Sequence, residues 1–299
     1  MPRPFLKWAG GKWQLLPQFR KFYPRAGSFR RYVDPFMGGG AVFFHVQALF
    51  RPERVMLSDQ NADLIETYET VRDRLDDVIE ALAEHKQKNC EDYYYEIREV
   101  NPAELDPVGR AARMIYLNKT CFNGLFRVNS RGLFNVPYGH RKTPGILDPD
   151  VLRAASRSFE RVDFGRGHFR RVLDYARAGD FIYFDPPYDP VSATAKFTSY
   201  TEGSFGPEDQ RELAHVYATL AQRGCLVMLS NSDTDFVRDL YREFRPIRTV
   251  LARRSINRDA DGRGPVKEVV VLNYAPPRAA SSSAAKAAKV GNRAADAPA

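Results

Sequence analysis

Asp185-Pro-Pro-Tyr188 is the stretch whose residue types define a chemistry most narrowly. Neither proline can donate a hydrogen bond, and each fixes its own φ. The carbonyl between them is therefore presented rigidly, beside the Asp185 carboxylate and ahead of the Tyr188 ring. Two acceptors and an aromatic face suit an exocyclic amine on a flat base. The acceptors take the two N–H bonds and the ring stacks on the base. Such an amine is a poor nucleophile, because its lone pair is delocalised into the base. Acceptors on both hydrogens favour the pyramidal nitrogen that develops in a transition state. Asp185, Pro186, Pro187 and Tyr188 are the candidate catalytic residues; the bland alternative is a proline-rich turn after a buried strand.

Two other stretches carry ligand chemistry. Asp34-Pro-Phe-Met-Gly-Gly-Gly40 follows a short apolar run, and its glycines let backbone approach a ligand closely. Asp59 lies 19 residues beyond Gly40, a distance at which an acid can accept from ribose hydroxyls. Read separately, these are a tight turn and a helix N-cap. Read together, they suggest a cofactor bearing a nucleoside. Trp8-Ala-Gly-Gly-Lys12 lacks the G-x-x-x-x-G-K-[ST] spacing of a phosphate loop. Cys90, Cys121 and Cys225 form no C-x-x-C pair, and no metal is needed for the chemistry above, so none is expected.

The elements that must position these residues alternate along the chain. Strand-like runs at 31–36, 54–58, 179–183 and 225–230 end at or just before the polar motifs. Helical spacing marks 41–49, 61–84 and 207–223, and 245–252 with 266–274 read as paired strands. This predicts an α/β domain with a mostly parallel sheet, in which ligands bind beyond the carboxyl ends of strands. The long, mainly helical 61–147 breaks the rhythm and reads as an inserted subdomain. The catalytic domain is then 1–60 with 148–274. Residues 275–299, rich in Ala, Ser and Pro, read as a disordered tail.

With 43% apolar and 12% aromatic residues, the chain excludes wholesale disorder. No run of 18 apolar residues exists and the start has no apolar signal core, so a cytoplasmic protein without a membrane segment is expected. The net charge is +8, of which the tail contributes +3. Residues 110–142 hold Arg110, Arg113, Lys119, Arg127, Arg131, Arg141 and Lys142 with no acid, interleaved with Tyr116, Phe122, Phe126, Phe134 and Tyr138. Cations among aromatics, Gly and Asn point to nucleic acid rather than to a solvated face.

Phe5-Leu-Lys-Trp-Ala-Gly-Gly-Lys12, Asp34-Pro-Phe-Met-Gly-Gly-Gly40, Asn123-Gly-Leu-Phe-Arg127, Phe134-Asn-Val-Pro-Tyr-Gly139 and Asp185-Pro-Pro-Tyr188 resemble the Dam family of DNA adenine-N6 methyltransferases. The likeness covers residues 4–274, and the motif order matches the family's α-group. It implies a Rossmann-like methyltransferase domain, S-adenosylmethionine as methyl donor, and adenine N6 in duplex DNA, at GATC, as the target. It implies cofactor contacts from Trp8, Lys12, Asp34, Phe36, Gly38, Asp59 and Asp185. It also implies DNA contacts from Lys7, Phe122, Asn123, Leu125 and Arg127. Arg127 matches a guanine-reading position, with phosphate contact as its alternative. Phe122 stands where close relatives have tyrosine and keeps a ring that can enter the duplex, its alternative being a core aromatic. Arg141 also replaces a tyrosine and is kept among the DNA contacts. Arg253 and Arg254 in the 245–274 hairpin are candidate phosphate contacts or part of a solvated turn. A monomer in the prokaryotic cytosol is expected. Methylation of adenine in RNA, or a catalytically silent DNA-binding regulator, are the competing readings.

Overall fold

The computed structural model describes residues 2–129, 131–190, 205–252 and 266–277. Seven strands form one sheet: β1 Arg31–Asp34, β2 Arg54–Asp59, β3 Val162–Arg166, β4 Phe181–Phe184, β5 Leu226–Ser232, β6 Ile247–Ala252 and β7 Val266–Leu272, in the order β3-β2-β1-β4-β5-β7-β6. The first five in that order run parallel; β7 is antiparallel to β5, and β6 to β7. This is the mostly parallel α/β sheet that the alternation of strands and helices predicts. The helices are α1 Leu16–Phe19, α2 Ala41–Phe50, α3 Ala62–Asp73, α4 Leu75–Lys88, α5 Glu91–Glu99, α6 Pro107–Thr120, α7 Pro149–Phe159, α8 Val172–Tyr175, α9 Pro207–Gln222 and α10 Asp235–Leu240.

A parallel sheet covered on both faces needs apolar residues at successive positions. β4 meets this with four buried residues, Phe181-Ile-Tyr-Phe184. Phe181 and Tyr183 enter one core with Tyr32, Met228, Val270 and Leu272. Ile182 and Phe184 enter a second core with Val33, Val227, Leu229, Val269 and Val271. The first core also takes in Leu64, Ile65, Tyr68 and Val71 of α3, so the helical segment after β2 shares its packing with the sheet. The second is closed by residues of α8, α9 and α10. Edge strand β6 is met by Gln18, whose amide donates to the Leu251 carbonyl (2.9 Å) and accepts its N–H (3.2 Å).

Caps account for the helix starts. Asn61 accepts from Leu64 N (3.0 Å), Asp106 from Gly109 N (2.8 Å) and Asp148 from Val151 N (3.2 Å). The helical run predicted at 61–84 breaks at Arg74 (φ −132°, ψ 42°), which separates α3 from α4. β3 has no counterpart in the sequence reading. Val162-Asp-Phe-Gly-Arg166 is an edge strand with Val162 alone fully buried, so it shows too little apolar periodicity to stand out. Residues 253–265 and 278–299, which include Arg253, Arg254 and most of the predicted tail, lie outside the described residues. Among the described residues, no helix is long and apolar enough to cross a membrane.

Chain order reverses between β1 and β4, which opens a crevice at their carboxyl ends. At the start of β4 the ring of Phe181 anchors the strand, with centroids 5.1 Å from Phe29, 5.4 Å from Tyr32 and 6.0 Å from Tyr23. Phe181→Ala should cost about 3–5 kcal/mol of stability through the cavity it leaves. Urea unfolding checks this, and a loss below about 1 kcal/mol would show that β4 is not anchored there.

Candidate active site

The glycine loop leaves β1 at Asp34 and enters α2 at Gly40. Gly38 (φ 45°) and Gly40 (φ 72°) are left-handed, a region that favours glycine. A Cβ on Gly38 would stand 2.9 Å from Trp8 Cδ1, so the loop and the Trp8 indole are in close apposition. Asp59, at the end of β2, pins the loop. Its carboxylate accepts from Gly38 N and from Asn61 N, both at 2.9 Å, while Tyr68 Oη donates to the Gly38 carbonyl (2.8 Å). Burial raises the Asp59 pKa, and these N–H groups pull it back. Phe36 stacks on Phe169 at 5.3 Å.

Asp185 begins the loop after β4. Lys12 Nζ lies 2.8 Å from Asp185 Oδ1, donates to the Gly10 carbonyl (2.6 Å), and stands 4.4 Å from the Tyr188 ring centroid. Lys12 is 5% exposed, so its charge is placed for this partner rather than for solvent. Ser230 Oγ donates to Asp185 Oδ1 (3.1 Å) and shares a 2.7 Å bond with Tyr183 Oη. Burial lifts the Asp185 pKa, and Lys12 and Ser230 oppose the rise. Gln210 Nε2 donates to the Pro187 carbonyl (2.9 Å), Asn231 Nδ2 donates to Gln210 Oε1 (3.0 Å), and Tyr188 Oη donates to Glu268 Oε2 (2.8 Å). The two prolines are thus held from below as well as by their own rings.

A third group approaches from the helical segment. Residues 121–138 form a loop closed by the antiparallel bridges Cys121–Tyr138 and Val128–Phe134. Asn118 joins it to the N-terminal segment. Its side chain accepts from Lys7 N (2.8 Å) and donates to the carbonyls of Lys7 (2.7 Å) and Gly124 (3.2 Å). Trp8 stacks on Phe126 at 5.2 Å. Phe122 is 52% exposed beside the Cys121–Tyr138 bridge, which removes the core-aromatic alternative. Beside it Asn123 is left-handed (φ 56°), a conformation its side chain tolerates. Arg127 is exposed and braced by Asn135, with Nε donating to Oδ1 at 2.7 Å and Nη2 to the carbonyl at 3.2 Å. Arg141 is half-buried.

The basic run divides. Arg110 is bound to Glu66 (2.6 Å), and Arg113 is buried, donating to the carbonyls of Ile97 (2.8 Å) and Arg98 (2.7 Å). These two are structural, so only the later cations of the run remain as candidate nucleic-acid contacts. His168, Asp209 and Glu212 gather near the crevice, but Asp209 caps α9 through Gly206 N (2.7 Å) and Glu212 pairs with Arg170 (3.2 Å).

These groups enclose one cavity of about 1260 Å³, lined by Trp8, Asp34, Gly38, Asp59, Asp185 and Tyr188 among others. Lys12 and Phe36 also line it, and Lys7, Asn123 and Leu125 reach it from the recognition side. Ser230, Gln210, Asn118 and Glu268 were not singled out from sequence. Asn118 and Glu268 had a signal, each being a polar residue in an apolar run; Ser230 and Gln210 had none.

The family profile described as D12 class N6 adenine-specific DNA methyltransferase matches residues 8–256. The chain is 41% identical over 287 residues to the type II methyltransferase M.MjaIII of Methanocaldococcus jannaschii, covering 91% of this chain and 99% of that protein. It is 38% identical over 278 residues to the type II methyltransferase M1.LlaDCHI of Lactococcus lactis subsp. cremoris (91% and 95%). It is 37% identical over 278 residues to the DNA adenine methylase of Escherichia coli K12 (92% and 96%).

Asp34 generates a pH prediction. It is 2% exposed; Tyr32 Oη donates to it (3.0 Å), as does Phe36 N (3.2 Å). Burial pushes its carboxyl from 3.8 to about 8, with Asp185 and Asp59 adding to the rise and the two donors opposing it. The folded chain therefore holds a proton that the unfolded chain releases between these values. The stability from this group is complete below the unfolded value and is lost as pH rises through the folded one. Asp34→Asn removes the dependence. Relative to the variant, the wild-type melting temperature should fall as pH rises from roughly 5 to 9. A difference that stays constant with pH would show that Asp34 is ionised in the fold.

Proposed function

Since the chain belongs to the D12 class N6 adenine-specific DNA methyltransferase family, we propose that it moves a methyl group directly from S-adenosylmethionine to adenine N6 in duplex DNA, with GATC as its site. One observation carries the reading. The glycine loop pinned by Asp59 and the Lys12-held Asp185-Pro-Pro-Tyr188 open into the same cavity at the β1/β4 reversal.

The residues fit the cofactor. Gly38 leaves no room for a side chain against Trp8, and Asp59 places a carboxylate on the cavity wall. Trp8, Asp34, Phe36, Gly38 and Asp59 would hold it, with Lys12 and Asp185 at the reacting end. When bound, S-adenosylmethionine supplies an electrophilic methyl group on a sulfonium. The Lys12 ammonium is engaged with Asp185, where it favours the ionised acid.

The chain's own residues then do three things. Asp185 and the Pro186 carbonyl accept the two N6–H bonds, which localises the nitrogen lone pair. Tyr188 supports the base by stacking. Gln210 holds the Pro187 carbonyl, which steadies the loop that carries these acceptors. An adenine stacked in a duplex cannot present its amine to Asp185 within the cavity, so the base must be flipped out. Phe122, exposed beside Asn123, is suited to fill the gap it leaves. Lys7 and Leu125 line the approach, and Arg127 suits bidentate contact with guanine O6 and N7. Arg141, Arg253 and Arg254 suit the backbone phosphates.

Asp185→Ala should lower turnover at least about 100-fold while DNA binding changes little, because it removes an acceptor from the developing amine charge. A radiolabelled methyl-transfer assay checks this, and near-normal turnover would reject the site. Arg127→Ala should cost about 1–3 kcal/mol of discrimination at one guanine and relax specificity there. Methylation-sensitive digestion and sequencing of modified bases read the target. N6-methyladenine found mainly outside GATC would keep the enzyme class and reject the site.

A further inference from the structure

β7 carries one carboxylate in an apolar run. In Val266-Lys-Glu-Val-Val-Val-Leu272, the last four residues are fully buried. Side chains alternate along a strand, so Glu268 shares the face of Val270 and Leu272. That face belongs to the core that includes Phe5 and Leu6 of the N-terminal segment. β7 runs antiparallel to β5 with Glu268 opposite Ser232. This register brings Glu268 to the wall of the cavity, where Oε2 accepts from Tyr188 Oη at 2.8 Å.

A carboxylate in that place costs more to bury than the valine its neighbours would accept, unless a polar partner requires it. Burial raises its pKa, and the nearby Lys12 opposes the rise. The partner that uses it is the phenol. Lys12 Nζ, 4.4 Å from the centroid, takes one face of the Tyr188 ring. A stacking base therefore has the other face to use, and the ring plane matters.

We propose that Glu268 is a positioning residue for methyl transfer, fixing the plane of Tyr188 by accepting its hydroxyl hydrogen. The inference rests on the methyltransferase reading above. Without that acceptor the ring can rotate about its side-chain torsions, and the amine drifts from Asp185. Misplacement of reacting groups lowers the rate of the bound complex more than it lowers binding.

The test is steady-state methylation of duplex DNA by the full chain. Glu268→Ala should lower kcat about ten-fold or more and leave KM for S-adenosylmethionine within about two-fold. Glu268→Gln keeps an acceptor oxygen and should recover most of the rate. Tyr188→Phe removes the donor and should reproduce the alanine loss, with the double variant losing no more than either single one. If Glu268→Ala does not fold, the Gln and Phe variants decide. An unchanged kcat in Glu268→Ala, a glutamine variant as slow as alanine, full activity in Tyr188→Phe, or additive losses would each overturn the role of Glu268 and leave the methyltransferase reading standing. A wild-type protein that transfers no methyl group to DNA would overturn both.

Discussion

The 2.8 Å ion pair between Lys12 and Asp185 is the contact on which the architecture of the site turns. A buried ammonium without a partner would cost several kcal/mol. The pair therefore commits the N-terminal segment to lie over the carboxyl end of β4. Once there, the segment brings Trp8 against Gly38 and Phe126, and its backbone is gripped by Asn118. A single strap thus touches the glycine loop, the Asp185 loop and the 121–138 loop. A shift in any one of them is felt through residues 7–12. The strap is anchored at both ends, by the Lys7 backbone on Asn118 and by the buried Lys12.

Four carboxylates crowd this end of the sheet, and the fold handles each differently. Asp34 is left without a cation and retains a proton, its carboxyl pushed up to about 8. Asp59 is spread over two backbone N–H groups. Asp185 has Lys12, and Glu268 has the Tyr188 hydroxyl. Like charges this close cannot all ionise at ordinary cost. Keeping Asp34 neutral removes one charge from the cluster, and Lys12 balances another. The result favours a carboxylate at Asp185.

Much of this was legible in the sequence because strand ends advertise themselves. A buried strand such as Phe181-Ile-Tyr-Phe184 has to stop where Asp-Pro-Pro begins, and glycines that need positive φ mark the turn after β1. The positions of β1, β2, β4 and β5, and of the motifs at their ends, follow from such local signals. What was not legible is pairing over long separations. Arg113 reads as a free cation beside aromatics, yet its guanidinium satisfies two backbone carbonyls from α5. β3 was invisible because an edge strand needs little apolar surface. Lys12 and Asp185 are 173 residues apart, so their pairing leaves no local signal.

The recognition loop shows how rigidity and exposure are divided. Its base is fixed: a Cβ on Gly139 would lie 2.5 Å from the Cys121 carbonyl oxygen, and one on Gly124 would lie 2.6 Å from Lys7 Cδ. Two side chains stand out from it: Phe122 is exposed, and Arg127 is exposed and held at its Nε by Asn135. A side chain that must enter a groove gains from a stiff mount, because less freedom is then lost on contact. The mount here is shared with the cofactor strap through Asn118 and the Trp8–Phe126 stack. Order imposed on residues 7–12 therefore reaches the loop that carries Phe122 and Arg127, through two packed amide and aromatic contacts.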